Sequence, residues 1–227
     1  MSVQQPSVPA ASPLWRLRWL FLGAALALGV GGGVAIALVR HSTPAAPKLA
    51  SGPQSTAITW PGGKRIAPGF ALTDQNGKPV SLAAFRGRPV IVTFIDPLCR
   101  NLCPLEAKVL DRVVASFPAA QRPAILAVSV NRYADARKNL LLDERKWSLP
   151  SDWHWAVGKP TALARVWKQY GIGVSVSTKT IAGVTVHQIT HTEASMIVDP
   201  KGYERALYLY PFAMRDVVRT IRSLERA

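Results

Sequence analysis

The chain has 227 residues, 48% of them hydrophobic, a formal net charge of +15 and only two cysteines. Two cysteines, both in one short stretch, exclude a disulfide-built scaffold, which spreads several along its length. The positive charge would attract an acidic protein or an anionic lipid surface, with a generally basic soluble surface as the equal alternative; the basic residues are scattered, with no run interleaved with aromatics, which argues against nucleic acid.

Residues 1–18 open with an uncharged, proline-containing stretch and end in Arg16 and Arg18. Trp19 to Val39 is uninterrupted apolar sequence, long enough to cross a bilayer as one helix. Arg16 and Arg18 before it, Arg40 after it and the interfacial Trp15 and Trp19 predict a cytoplasmic tail (1–18) and a transmembrane helix (19–39). In a bacterium the remainder would then lie in the periplasm, held at the inner membrane. A cleaved signal peptide is the competing reading of the same stretch. Residues 40–65, rich in Ser, Thr, Pro, Ala and Gly, read as a flexible tether.

The globular domain is expected over 66–227. Phe70 to Thr73 and Pro79 to Leu82 form a hairpin around the turn Gln75-Asn76-Gly77-Lys78. Pro89 to Ile95 and Ala124 to Val130 are continuous apolar runs, the pattern of buried central strands. Leu105, Val109, Val113 and Phe117 recur at helical spacing. Ala134 to Trp147 reads as a second helix and Trp155 to Val157 as a short strand. Thr161 is a candidate cap for a third helix that stops at Gly171. Val174 to Ile189 alternates around Gly183, a protruding hairpin. Ser195 to Val198 and Glu204 to Leu209 make another hairpin, and Met214 to Leu224 a closing helix. This order predicts an α/β thioredoxin-like fold: a central mixed sheet flanked by helices, with an N-terminal hairpin and an inserted hairpin.

Cys99 and Cys103 follow the first buried strand and lead into the first helix, in the segment Asp96-Pro97-Leu98-Cys99-Arg100-Asn101-Leu102-Cys103-Pro104. The free N–H groups and partial positive charge of a helix start stabilise a thiolate there. Pro104 suits the first turn, where its missing donor costs nothing. Residues four apart share one face of a helical turn, so the sulfurs can close a disulfide or grip one soft metal ion. Arg100 is expected to favour the thiolates further. With two thiolates alone a metal is under-coordinated. Zinc usually takes four ligands, whereas copper(I) accepts soft thiolates with one imidazole. His191, just before the strand at Ser195, can be brought over the cysteine helix. His187 is read as a hairpin residue, His154, Met196 and Met214 as packing, Asp96 as either a modulator of the thiols or a solvated acid, and Arg86 and Arg88 as solvated.

Three segments resemble the Sco/SenC family: Phe70 to Val80, its opening hairpin; Cys99-x-x-x-Cys103-Pro104, its copper motif; and His191-Thr192 through Asp199-Pro200-Lys201-Gly202, its histidine segment. The resemblance implies a copper ion, Cu(I) or Cu(II), held by Cys99, Cys103 and His191. It implies a role in building the copper centre of cytochrome c oxidase subunit II, by delivering copper, by reducing that subunit's cysteines, or both. Arg100, Asn131 and Thr190 stand where the family commonly has a proline, an aspartate-proline and an aspartate. The lost acids predict a more positive site and lower cysteine pKa values. The alternative function is a membrane-anchored thiol–disulfide oxidoreductase with Cys99 as the attacking thiol and Cys103 as its partner. A peroxidase is disfavoured because Asp96 stands where a threonine would be needed.

Overall fold

The structure is a computed structural model that describes Ser55, residues 57–134 and residues 136–224. The expected tail, the transmembrane helix over 19–39 and most of the tether lie outside the described residues. Among the described residues no helix is long and apolar enough to cross a membrane.

Strands β1 (Ala57–Thr59), β4 (Val90–Ile95), β5 (Ala124–Ser129), β6 (Trp153–Ala156), β9 (Ala194–Val198) and β10 (Glu204–Leu209) form one six-stranded sheet in the order β1-β10-β9-β4-β5-β6. β4 runs parallel to β5 and antiparallel to β9, so the sheet is mixed. β4, β5 and β9 are buried along their whole length, which is why their sequences read as apolar runs rather than alternating ones.

Successive residues of β4 serve opposite faces. Ile91 and Ile95 join one core with Leu110 and Val113 of α1 (Leu102–Ala115), Leu140 of α2 (Arg137–Trp147) and Ile221 of α4 (Met214–Leu224). Val90, Val92 and Phe94 join the other with Leu163 and Val166 of α3 (Pro160–Tyr170) and with Leu72 and Val80. Those last two belong to the small hairpin of β2 (Ala71–Thr73) and β3 (Pro79–Ser81). Helices therefore cover both faces of the sheet, the expected mixed α/β architecture.

β7 (Val174–Ile181) and β8 (Val184–His191) form a separate exposed ribbon. Its two-residue turn needs positive φ at both positions, met by Ala182 (49°) and Gly183 (79°). The pairing of Val174 with His191 puts the histidine at the ribbon's base, next to the main sheet.

Some expectations are corrected. Part of the stretch read as tether is structured, since Ala57–Thr59 pairs with β10 at the sheet edge. Ser55 pins that strand, its Oγ donating to Asp216 Oδ2 at 2.9 Å and accepting the Ala213 N–H at 2.7 Å. Three residues carry no periodic signal, so only tertiary pairing defines this strand. Thr161 does not cap α3. The helix starts at Pro160, whose fixed φ suits a first position, after Lys159 with no side-chain cap. Gly171 does end that helix, with φ 70°. Arg88 is not merely solvated, because its guanidinium donates to Asp152 and to the Arg122 carbonyl. Arg86 likewise donates to the Lys201 carbonyl.

Candidate metal centre

α1 begins at Leu102, three residues before its apolar periodicity becomes visible, so Cys103 and Pro104 lie within its first turn and Cys99 just ahead of it. Asn101, at the cap position, makes no side-chain cap bond. The Cys99 sulfur takes over that task, accepting the Cys103 N–H at 3.3 Å. The thiol of Cys99 also lies 2.9 Å from Asn101 Oδ1, as donor to it. On ionisation the Asn101 amide has only to turn over to present N–H to the sulfur instead.

The hydrogen bond from the Cys103 side chain pulls the Cys99 thiol down from 9.0 to about 6, against burial, with the backbone N–H groups of Asn101 and Cys103 adding to the drop. Cys103 is pushed the other way, by the same hydrogen bond, by its complete burial and by the Cys99 charge. The pair thus shares one proton: Cys99 is the thiolate at neutral pH and Cys103 holds the proton. Both are free thiols. Arg100 contributes differently from the expectation. Its guanidinium donates to the Pro97 and Cys99 carbonyls and faces Asp143 Oδ1 at 3.4 Å, and the leading causes that lower Cys99 are hydrogen bonds.

The loop ahead of Cys99 is held by Asp96. Its carboxylate accepts the Leu98 N–H at 2.9 Å and the Asn131 side-chain amide at 2.8 Å. Asn131 is buried, and its own Oδ1 accepts the Tyr133 N–H at 3.0 Å. An aspartate at 131 would oppose Asp96 with like charge, whereas asparagine donates to it. Asp96 is therefore structural here and also raises the Cys99 pKa slightly.

His191 reaches the sulfurs from the ribbon. Its Nε2 is 3.9 Å from Cys103 Sγ, and its Nδ1 is 3.1 Å from the Thr192 carbonyl. A carbonyl can only accept, so Nδ1 carries the ring proton and Nε2 presents its lone pair toward the sulfur. This is the orientation that supporting hydrogen bonds impose on metal-binding histidines. Metal–sulfur and metal–nitrogen bonds of about 2.3 and 2.0 Å span roughly 3.7 Å at a trigonal angle. One soft ion therefore fits between Cys103 and His191 with little movement.

Among the described residues, the cluster of metal-binding types whose donor atoms all lie within 4.8 Å of one another is Cys103, His191 and Glu193. Glu193 was not singled out from the sequence, and Cys99 is not one of the three. Glu106 also went unnoticed. It lies one turn after Cys103 on the inward face of α1, fully buried, and Oε1 accepts hydrogen bonds from Thr93 and Ser195 at 2.8 Å each. Burial pushes it up to about 7. The i, i+3 spacing from Cys103 was the available signal. His187 is not with the sulfurs. It stacks on Tyr133 with ring centroids 3.8 Å apart and planes 8° apart, which ties the ribbon to the loop after β5. Met196 is core, and His154 packs on Phe85 as expected.

An open cleft of about 820 Å³ runs along these residues, bounded by Cys99, Asn131, Thr190, His191, Glu193 and Tyr210.

Comparison with known proteins places this geometry in a wider set. The sequence pattern described as SCO1/SenC matches residues 59–226. No curated protein matches the sequence. Among solved structures, yeast Sco1 with copper bound is similar at a TM-score of 0.63 and 16% identity, over 72% of this chain and 90% of that one. Arabidopsis thaliana ScoI with copper bound gives a TM-score of 0.61 and 17% identity, over 70% and 99%. BsSco, described as a cytochrome c oxidase assembly protein with a disulfide switch, gives 0.56 and 20%, over 74% and 98%. At these identities the likeness shows a shared fold.

Proposed function

The chain belongs to the SCO1/SenC family, and from that premise we propose that it binds copper through Cys99, Cys103 and His191 and serves the assembly of the copper centre of cytochrome c oxidase subunit II. The observation that carries this reading is the imidazole lone pair of His191 held 3.9 Å from Cys103 Sγ by the Nδ1 bond to Thr192. An oriented imidazole lone pair beside two sulfurs is the third donor that a soft ion takes. Cys99 and Cys103 would hold the ion as thiolates, and its binding would displace the proton the pair now shares, so affinity should rise with pH. Relatives of the same fold hold copper, and one is described as an oxidase assembly protein.

The partner would be a protein. Leu98, Leu102, Val186 and Leu209, all exposed, rim the cleft and offer apolar contact around the donor atoms. A retained anchor over 19–39 would set the domain in the periplasm, where subunit II of a bacterial oxidase would meet it.

Copper(I) titration of the reduced chain in detergent tests the reading. One ion per chain is expected, with binding lost in Cys99→Ala, Cys103→Ala and His191→Ala. Loss of a ligand should cost more than the roughly 10- to 100-fold that loss of a supporting partner does. Unchanged binding in all three variants would defeat the assignment.

A second reading is favoured by the split of the two thiols. Cys99 is half-buried and ionised near neutral pH, and Cys103 sits protonated and buried behind it. The Cys99 thiolate could attack a partner's disulfide, releasing one partner sulfur as a thiolate. Cys103 would then pass its proton to that thiolate and attack the mixed disulfide, releasing the second partner sulfur as a thiolate and leaving Cys99 and Cys103 joined. The partner gains the two electrons that the dithiol loses. This chemistry should persist in His191→Ala, which separates it from copper binding.

A further inference from the structure

We propose that Glu193 is an oxygen ligand of this centre, giving it a thiolate–imidazole–carboxylate donor set that favours copper(II) over copper(I). The inference rests on the copper-binding reading and adds a residue to it.

The geometry comes first. A Glu193 carboxylate oxygen lies within 4.8 Å of the donor atoms of both Cys103 and His191. With metal–oxygen and metal–sulfur bonds of about 2.0 and 2.3 Å, donors on one ion stand up to roughly 4.3 Å apart. A contraction of about an ångström or less closes the trio, within reach of the rotatable bonds of a glutamate side chain. The backbone around it is fixed from two sides. The Glu193 carbonyl accepts the Tyr210 N–H at 3.0 Å, and the Thr192 N–H donates to Gly173 at 2.9 Å. The residue is therefore carried with His191 on one pinned turn, not on a free loop.

The carboxylate itself has no hydrogen bond or ion pair among the described residues, although the side chain is partly buried at the cleft wall. A partly buried acid that makes no hydrogen bond and is attracted by His191, beside a sulfur, has its own lone pairs to offer to a cation.

Ligand chemistry then decides which ion gains. Copper(I) is soft and is satisfied by two thiolates and one imidazole, so a hard oxygen adds little. Copper(II) prefers nitrogen and oxygen donors in a tetragonal set and takes a fourth ligand readily. The extra negative charge also stabilises the doubly charged ion more than the singly charged one. Glu193 thus tilts the centre toward the oxidised ion.

Glu193→Gln tests this in the full chain in detergent, with copper(I) affinity measured by competition and copper(II) by electron paramagnetic resonance and absorption on samples frozen on mixing. Glutamine keeps the shape and removes the anionic donor. Copper(I) affinity should stay within about threefold, which also reports an intact fold, while copper(II) affinity falls by more than the roughly 10- to 100-fold that loss of a supporting partner costs and the copper hyperfine splitting changes. A copper(II) spectrum and affinity identical to the unaltered chain would overturn the role of Glu193 and leave the copper reading intact. An equal fall for both ions would overturn the stated preference. Failure of the unaltered chain to bind copper(I) would remove both proposals together.

Discussion

Cys99 and Cys103 follow a strand buried on both faces and enter a helix whose inward side is packed in the core, whereas His191 ends a ribbon with no fully buried residue. The first position is set by the burial of β4 and α1. The second is set by a few local pins: the Gly173–Thr192 backbone bond, the packing of Val174 and Ile189 at the ribbon's base, and the stack of His187 on Tyr133. A two-stranded ribbon has little stability of its own, and segments with few buried contacts open most readily. One half of the candidate site is thus fixed by the core and the other by a few contacts at the surface.

The sharpest way to break this comparison is to ask whether the cysteine half works without the ribbon. The Cys99 shift comes first from the Cys103 side chain, and His191 is not among its causes. Alkylation of Cys99 in the metal-free chain should therefore show a midpoint near pH 6, as that group has, and lose rate below it. Cys103→Ala should move the midpoint upward toward the ordinary thiol range, the largest change expected anywhere in the molecule. His191→Ala should leave it in place. A shift of equal size in both variants would mean that the ribbon sets the thiol chemistry, and the two halves would not be separable.

The same division explains what the sequence made legible. β4 and β5 were readable because burial on both faces leaves no alternative to an apolar run, and the cysteine pair because a helix start after such a strand has a definite chemistry. The ribbon was readable from alternation about Gly183. Side-chain direction was not. Arg100 was expected to charge the thiols and instead faces Asp143 and two carbonyls. Asn131 was visible as a departure from the family pattern, but its bond to Asp96 depends on a contact between residues 35 apart. Glu193 stands within the quoted histidine segment and Glu106 just past the quoted cysteine segment; apart from the i, i+3 spacing of Glu106 from Cys103, nothing in a linear string tells a buried carboxyl from a solvated one. β1 was hidden for a different reason: three residues at a sheet edge owe their conformation to β10 alone.

Glu106 gives a second test, confined to the fixed half. Its carboxyl titrates at about 7 in the fold against an ordinary 4.5. Between those values the unfolded chain holds fewer protons than the folded one, so stability falls as pH rises through that window and the loss is complete above pH 7. The shift corresponds to about 3 kcal/mol. Glu106→Gln keeps an acceptor for Thr93 and Ser195 and removes the ionisation. Denaturant unfolding should find this variant more stable than the unaltered chain above pH 7, by up to about 3 kcal/mol, with the gap narrowing as pH falls toward 4.5. An unchanged pH profile would show that the carboxyl is hydrated and that the fixed half is looser than its burial implies.

The smallest expected effect falls on the ribbon. Tyr133 stacks on His187 with ring centroids 3.8 Å apart, and the Arg132 guanidinium lies 4.9 Å from the Tyr133 ring centroid. Stacked rings contribute about 0.5–1.5 kcal/mol beyond their buried area. Tyr133→Leu should therefore weaken copper(I) binding by roughly 2- to 10-fold, chiefly through faster release, because the ribbon that presents His191 is held less firmly. Tyr133→Phe keeps the ring and should bind nearly as the unaltered chain does. Neither change touches the Cys103–Cys99 hydrogen bond, so the alkylation midpoint of Cys99 should not move. If Tyr133→Leu left copper release unaltered, the pins at the base of the ribbon, Gly173 to Thr192 with Val174 and Ile189, would suffice to hold the imidazole. The histidine half would then be as firmly set as the cysteine half.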